Sequence, residues 1–273
     1  MADDAGRQLN LSAALLALSV LADSAMEHYR GSFNNRAMYI PLVTAAGALA
    51  ASVFGAFDKR SGRHRGRDVL YGLSAATGLA GIGFHAYNIT KRPGGLSWLN
   101  LFYAAPIGAP AALVLAGLLG RGAESARALP KPGAAADASS TDVGRLIAAV
   151  SALGLLGTTA EAGLLHFRGA FQNPAMVLPV TVPPVAGALI GAAAVAPGRA
   201  PRRLTRWWLK LTALLGFAGV GFHAYGVSRA MGGWRNWTQN LLNGPPVPAP
   251  PSFTGLALAG LAALGLIEGS ADD

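Results

Sequence analysis

AGIGFHAY at 80–87 returns as AGVGFHAY at 218–225, with seven of eight residues identical. HYRGSFNNRAMYIP at 28–41 returns as HFRGAFQNPAMVLP at 166–179, with eight identities in fourteen. Both pairs are separated by 138 residues, and a fixed separation of that length is an internal duplication. APIGAP at 105–110 resembles PPVPAP at 245–250, and LVLAG at 113–117 resembles LALAG at 256–260. The duplication therefore extends toward the end of each half.

The repeated unit has the composition of a membrane protein. Of 273 residues, 52% are hydrophobic and 13% charged, against about 25% charged in an average soluble domain. Eight apolar segments stand out, at 9–28, 38–57, 69–87, 98–120, 146–166, 175–196, 207–227 and 253–267. Most approach the ~20 residues that a helix needs to cross a hydrocarbon core. The many glycines and prolines lie inside these runs, where membrane helices tolerate them. The first run follows MADDAGRQ, which is not a basic leader region, and it has a twin at 146–166, so it reads as a helix and not as a removable signal.

The expected fold is all-α: a polytopic membrane protein of eight transmembrane helices in two tandem four-helix repeats. An even number of helices per repeat makes both enter the membrane in the same sense, which implies a pseudo-twofold along the membrane normal. Residues 1–120 form the N-terminal repeat and 143–273 the C-terminal one. Between them, 121–142 (RGAESARALPKPGAAADASSTD) is small, polar and Pro-containing, and reads as a cytoplasmic linker.

Net charge is +9, and 15 of the 22 Lys and Arg fall on the side of the N-terminus. The positive-inside rule then places both termini in the cytoplasm, in a bacterial-type inner membrane. Orientation explains the basic residues, and no nucleic-acid partner is expected. Trp98, Trp234 and Trp237 fall at the outer interface and Trp207 and Trp208 at the inner one, as aromatic belts require.

Four of the five histidines are matched by the duplication: His28 with His166, and His85 with His223. All four end helices that run from inside to outside, so they share one depth near the outer face. His64, in the basic inner loop, has no twin and reads as solvated. Polar groups at membrane depth default to functional hypotheses. With no cysteine, Fe–S clusters, thiolate metal sites and covalent c-type haem are excluded. One or two b-type haems, each held by two imidazoles, fit this residue set. The pairs can close within or between repeats. A bare transition metal on the four histidines, a quinone or proton site, and a purely structural role are the other readings.

Around this set, Gly83 and Gly221 would let a macrocycle approach the backbone. Arg30 and Arg168 would meet propionates at the outer surface. Tyr87 and Tyr225, two residues beyond the second histidine, read as interfacial tyrosines or as relays. Asp23 aligns with Glu161, and this matched carboxylate would orient an imidazole or relay a proton. Asn35 and Asn173 read as helix caps, Gly31 and Gly169 as tight turns. Pro41, Pro179, Pro106 and Pro110 predict distortions in their helices.

The functional expectation is an electron-transfer subunit that carries electrons between a periplasmic partner dehydrogenase and membrane quinone. The alternative is a parallel-repeat transporter or metal-binding membrane protein that uses the four histidines with Asp23 and Glu161. No P-loop, nucleophile elbow or dinucleotide motif occurs in a fitting context.

Overall fold

The computed structural model describes residues 2–103, 106–130 and 134–269. Ala105, used in the repeat comparison, and Lys131, used in the charge count, lie outside them. The described residues form helices α1 (Ala2–Arg30), α2 (Ile40–Phe57), α3 (Arg65–Thr90), α4 (Trp98–Tyr103), α5 (Gly108–Arg127), α6 (Ala134–Arg168), α7 (Leu178–Val195), α8 (Arg202–Arg229), α9 (Trp237–Asn243) and α10 (Pro251–Glu268). No strand occurs among them.

Among the described residues, seven helices are long and apolar enough to cross a membrane: α1, α2, α3, α6, α7, α8 and α10. The exception, α5, carries Arg121, Glu124 and Arg127 in its last two turns. The expected single span at 98–120 is divided into α4 and α5. Pro106 has no N–H with which to continue a helix. Pro41 and Pro179 cause no distortion. They sit in the first turn of α2 and α7, where a missing N–H leaves no helical bond unmade. The expected linker is mostly helical, since α5 runs on to Arg127 and α6 opens at Ala134.

In the N-terminal half, α1 packs on α2, α2 on α3, α3 on α5 and α5 on α1. In the C-terminal half, α6, α7, α8 and α10 close the same ring. Thus α1 and α3 are diagonal partners, as are α6 and α8. The halves meet where α1 packs on α10 and α5 on α6.

The interior is small and the exterior large. Ala13, Ala17, Ala116, Ala257 and Ala263 are fully buried, whereas Phe54 and Phe57 expose about three-quarters of their surface (75% and 74%). In lipid no hydrophobic force drives helices together, so small side chains that let backbones approach supply the packing. Gly78 and Gly216 are the tightest matched examples. A Cβ on Gly78 would lie 2.6 Å from the Pro110 carbonyl oxygen, and one on Gly216 would lie 2.8 Å from that of Pro250. These contacts relate α5 to α10 by 140 residues. The resemblance of LVLAG to LALAG, at 143, is therefore out of register by three.

At the end that carries the N-terminus the halves differ. Arg67 donates to Glu124 Oε1 and to Asp58 Oδ2, both at 2.7 Å. Glu124 is fully buried and also accepts from the His64 backbone N–H at 2.7 Å. Arg127 reaches the carbonyls of Asp58 and Arg60, each at 3.0 Å, and that of Gly55. Tyr71 donates to Asn10 Oδ1 at 2.7 Å. The matched positions in the C-terminal half are Thr205, Leu264, Ile267, Leu209 and Ala148, all buried and none charged. His64 is less free than expected, because its Nδ1 accepts from the Arg67 backbone N–H and caps α3.

Candidate histidine site

Each histidine of the matched set sits near the end of a long helix, with its ring turned toward the chain that opens a neighbouring one. His28 Nδ1 lies 2.7 Å from the Met38 carbonyl oxygen, and His166 Nδ1 lies 2.8 Å from that of Met176. His85 Nδ1 lies 2.6 Å from the Pro106 carbonyl oxygen, and His223 Nδ1 lies 2.8 Å from that of Pro246. A carbonyl oxygen only accepts, so each Nδ1 carries the proton and donates it. When such a ring is neutral it presents a lone pair at Nε2, a tautomer in which an imidazole can ligate a metal. Among the described residues no hydrogen bond reaches any of the four Nε2 atoms.

Electrostatic proximity pairs the rings within halves. His28 and His85, on the diagonal helices α1 and α3, lie within electrostatic range of each other. So do His166 and His223 on α6 and α8. All four are half-buried. Among the described residues no three His, Asp or Glu side chains group as a metal site.

The turn after the first histidine is strained alike in both halves. Ser32 and Phe33 have φ of 55° and 46°, and Ala170 and Phe171 have the same values. Left-handed backbone costs a non-glycine residue roughly 1–2 kcal/mol, so the surroundings must hold it in place. Phe33 N–H donates to the His28 carbonyl and Phe171 N–H to that of His166, both at 3.0 Å. The Phe33 ring stands edge-on to His28 at 6.2 Å, and the Phe171 ring to His166 at 6.1 Å. Asn35 and Asn173 accept from the N–H two residues on, at 2.9 Å each, and cap the turns that lead into α2 and α7. Their expected capping role holds. Gly31 and Gly169 lie in the turn, but the left-handed residues are the two that follow each of them.

The remaining expected residues are distributed differently. Arg30 pairs with Glu27 at 2.7 Å, whereas Arg168 lies over the rings of Phe102 and Tyr103. Tyr87 and Tyr225 are exposed, and Lys91 lies over the Tyr87 ring. Gly83 and Gly221 are two residues from a histidine, about 200° around the helix, and a Cβ at either would meet open space. The glycines on the histidine's own face are Gly81 and Gly219. A Cβ there would lie 2.9 Å from Pro110 Cβ and 2.8 Å from Pro250 Cβ, respectively.

Asp23 and Glu161, one from each half, are within electrostatic range of each other. The Glu161 carboxylate rests against Gly108, in space that a Cβ would occupy.

Sequence reasoning missed two matched features. Asn100 Nδ2 bonds the carbonyls of Pro93 and Gly95 (3.0 and 2.7 Å), and Asn240 Nδ2 bonds those of Met231 and Gly233 (3.1 and 2.7 Å). Each brace fixes the loop beyond the second histidine. Two extra residues in the second loop shift Asn240 out of the 138-residue register, which hid the pair. At the opposite end, Arg7 donates to the Ala56 carbonyl and Arg145 to that of Ala194, at 3.1 and 2.8 Å. These arginines are in register with each other, but they drew notice only as charges. No protein-family model, curated protein or solved structure matches the chain.

Proposed function

We propose that the protein is an inner-membrane electron-transfer subunit in which each four-helix half holds one b-type haem between two imidazoles. The observation that carries this reading is the common state of the four rings: Nδ1–H bonded to a backbone carbonyl, with Nε2 left as a donor of electron density. The electrostatic association of His28 with His85, and of His166 with His223, favours closure within halves. In each half the pair spans a diagonal of the helical ring, the direction in which two ligands can face one group in a bundle interior.

The duplication extends this reading to eight spans, with α5 as the eighth, related by a pseudo-twofold along the membrane normal. The exchange of contacts, α1 with α10 and α6 with α5, has the form such an axis requires. The basic residues favour both termini in the cytoplasm and the histidines near the periplasmic face.

The haem would supply a reversible one-electron couple. The chain's own residues would hold the rings in one tautomer and fix the turn after the first histidine. Electrons would enter from a periplasmic partner dehydrogenase and leave to quinone. The protein expressed with ample haem should show paired Soret and α bands in a reduced-minus-oxidised spectrum. A spectrum without either band would reject the reading.

A transporter is the second reading, favoured by the matched carboxylates Asp23 and Glu161, which lie within electrostatic range of each other. It predicts that Asp23→Asn with Glu161→Gln abolishes proton-coupled uptake into proteoliposomes and leaves haem content unchanged. Wild-type vesicles that show no proton flux with any solute or metal ion tried would reject it.

A further inference from the structure

One face of α8 changes character with depth. Arg203, Arg206, Trp207, Lys210, Leu211 and Leu214 follow the i, i+3, i+4, i+7, i+8, i+11 pattern of a single helical stripe. All six are exposed. Their side chains form two adjoining hollows. One is flanked by the basic side chains of Arg203, Arg206 and Lys210 beside Trp207. The other is apolar and runs deeper, past Trp207 and Lys210 to Leu211 and Leu214. Lys210 lies 6.0 Å from the centre of the Trp207 ring, at the junction of the two. Arg206 is paired with Glu268, whereas among the described residues no carboxylate pairs with Arg203 or Lys210.

The geometry points to a binding site for an anionic phospholipid. Arg203 and Lys210 would hold the phosphate, Trp207 the glycerol level, and Leu211 and Leu214 the start of an acyl chain. Charge sets the class: cations at the membrane surface above an apolar groove complement a lipid with a net negative headgroup. A free phosphate would satisfy the cations and leave the groove empty. The duplication supplies an internal control. The matched stripe on α3 reads Arg65, Asp68, Val69, Gly72, Leu73 and Ala76. It has one cation, no tryptophan and no lysine, and Asp68 is held by Arg63 and Arg121. The site therefore belongs to the C-terminal half alone. It is independent of any haem.

The test uses the full chain, reconstituted in vesicles of phosphatidylglycerol and phosphatidylcholine in equal parts. After mild detergent extraction, retained lipid is counted by native mass spectrometry. The wild type should retain phosphatidylglycerol in preference to phosphatidylcholine. Arg203→Gln and Lys210→Gln should each weaken that retention about fivefold, and Trp207→Ala should weaken it as well. Arg65→Gln should leave it unchanged. Helical circular dichroism confirms that each variant is folded before it is counted. Retention equal to wild type in the Arg203→Gln/Lys210→Gln double variant would overturn the proposal. So would an equal loss in Arg65→Gln, or displacement of the lipid by inorganic phosphate alone.

Discussion

The two halves agree at one end and part at the other. At the histidine end, the ring hydrogen bonds, the strained turn, the edge-on phenylalanine and the asparagine cap recur almost atom for atom. At the opposite end, one half buries Arg67 against Glu124 and Asp58, and the other fills the same positions with Thr205 and Leu264. One helical ring thus tolerates either a satisfied ionic network or an apolar plug. The histidine turn has a single solution, used twice although its backbone is strained. The N-terminal end of the ring is interchangeable in this way, and the histidine end keeps one arrangement in both halves.

The largest expected effect breaks the ionic solution halfway. Glu124→Leu removes the buried partner of Arg67 and should destabilise the protein by about 3–5 kcal/mol, read from thermal unfolding in detergent. Adding Arg67→Thr copies the C-terminal half and should recover most of that loss. A double variant as unstable as the single one would mean that the two ends are not interchangeable.

Next in size is a substitution made in both halves at once. Gly78→Ala and Gly216→Ala each place a methyl group against a proline carbonyl, and each should cost about 1–3 kcal/mol. Gly83→Ala and Gly221→Ala enter open space and should leave stability unchanged or slightly raised. Unequal losses between Gly78 and Gly216 would break the equivalence of the α3–α5 and α8–α10 contacts.

The smallest effect is a pH dependence confined to the N-terminal half. The hydrogen bond from Arg67 holds the Asp58 carboxyl below the usual carboxylate range. In the unfolded chain that restraint is gone. The stabilisation is therefore complete above the usual range and is lost as pH falls through the lower, folded value. Asp58→Asn should flatten this part of the melting-temperature profile. The matched loop at 196–201 has no carboxylate and contributes no such slope. An unchanged acid limb in Asp58→Asn would remove Asp58 as its source.

Much of the histidine end was legible in the sequence because both copies preserve it. The offset of 138 residues found His28, His85, His166 and His223 and the Asn35 and Asn173 caps. It missed what lies across an insertion, Asn100 and Asn240. It also missed what only one half possesses: Glu124 and Arg127 looked like loop charges, although the chain folds them inward. The prolines were expected to distort helices from within, and the chain places them at helix boundaries instead. Pro41 and Pro179 open helices, while Pro106 belongs to the break between α4 and α5.

The most direct test of the central claim is a haem count on paired histidine variants, from the reduced-minus-oxidised spectrum of the purified protein. If each half closes its own pair, His28→Ala with His85→Ala leaves the C-terminal haem and half of the wild-type signal. His28→Ala with His166→Ala then leaves none. The reverse pattern would place the pairs between halves, and a wild-type protein without a Soret band would contradict the account altogether.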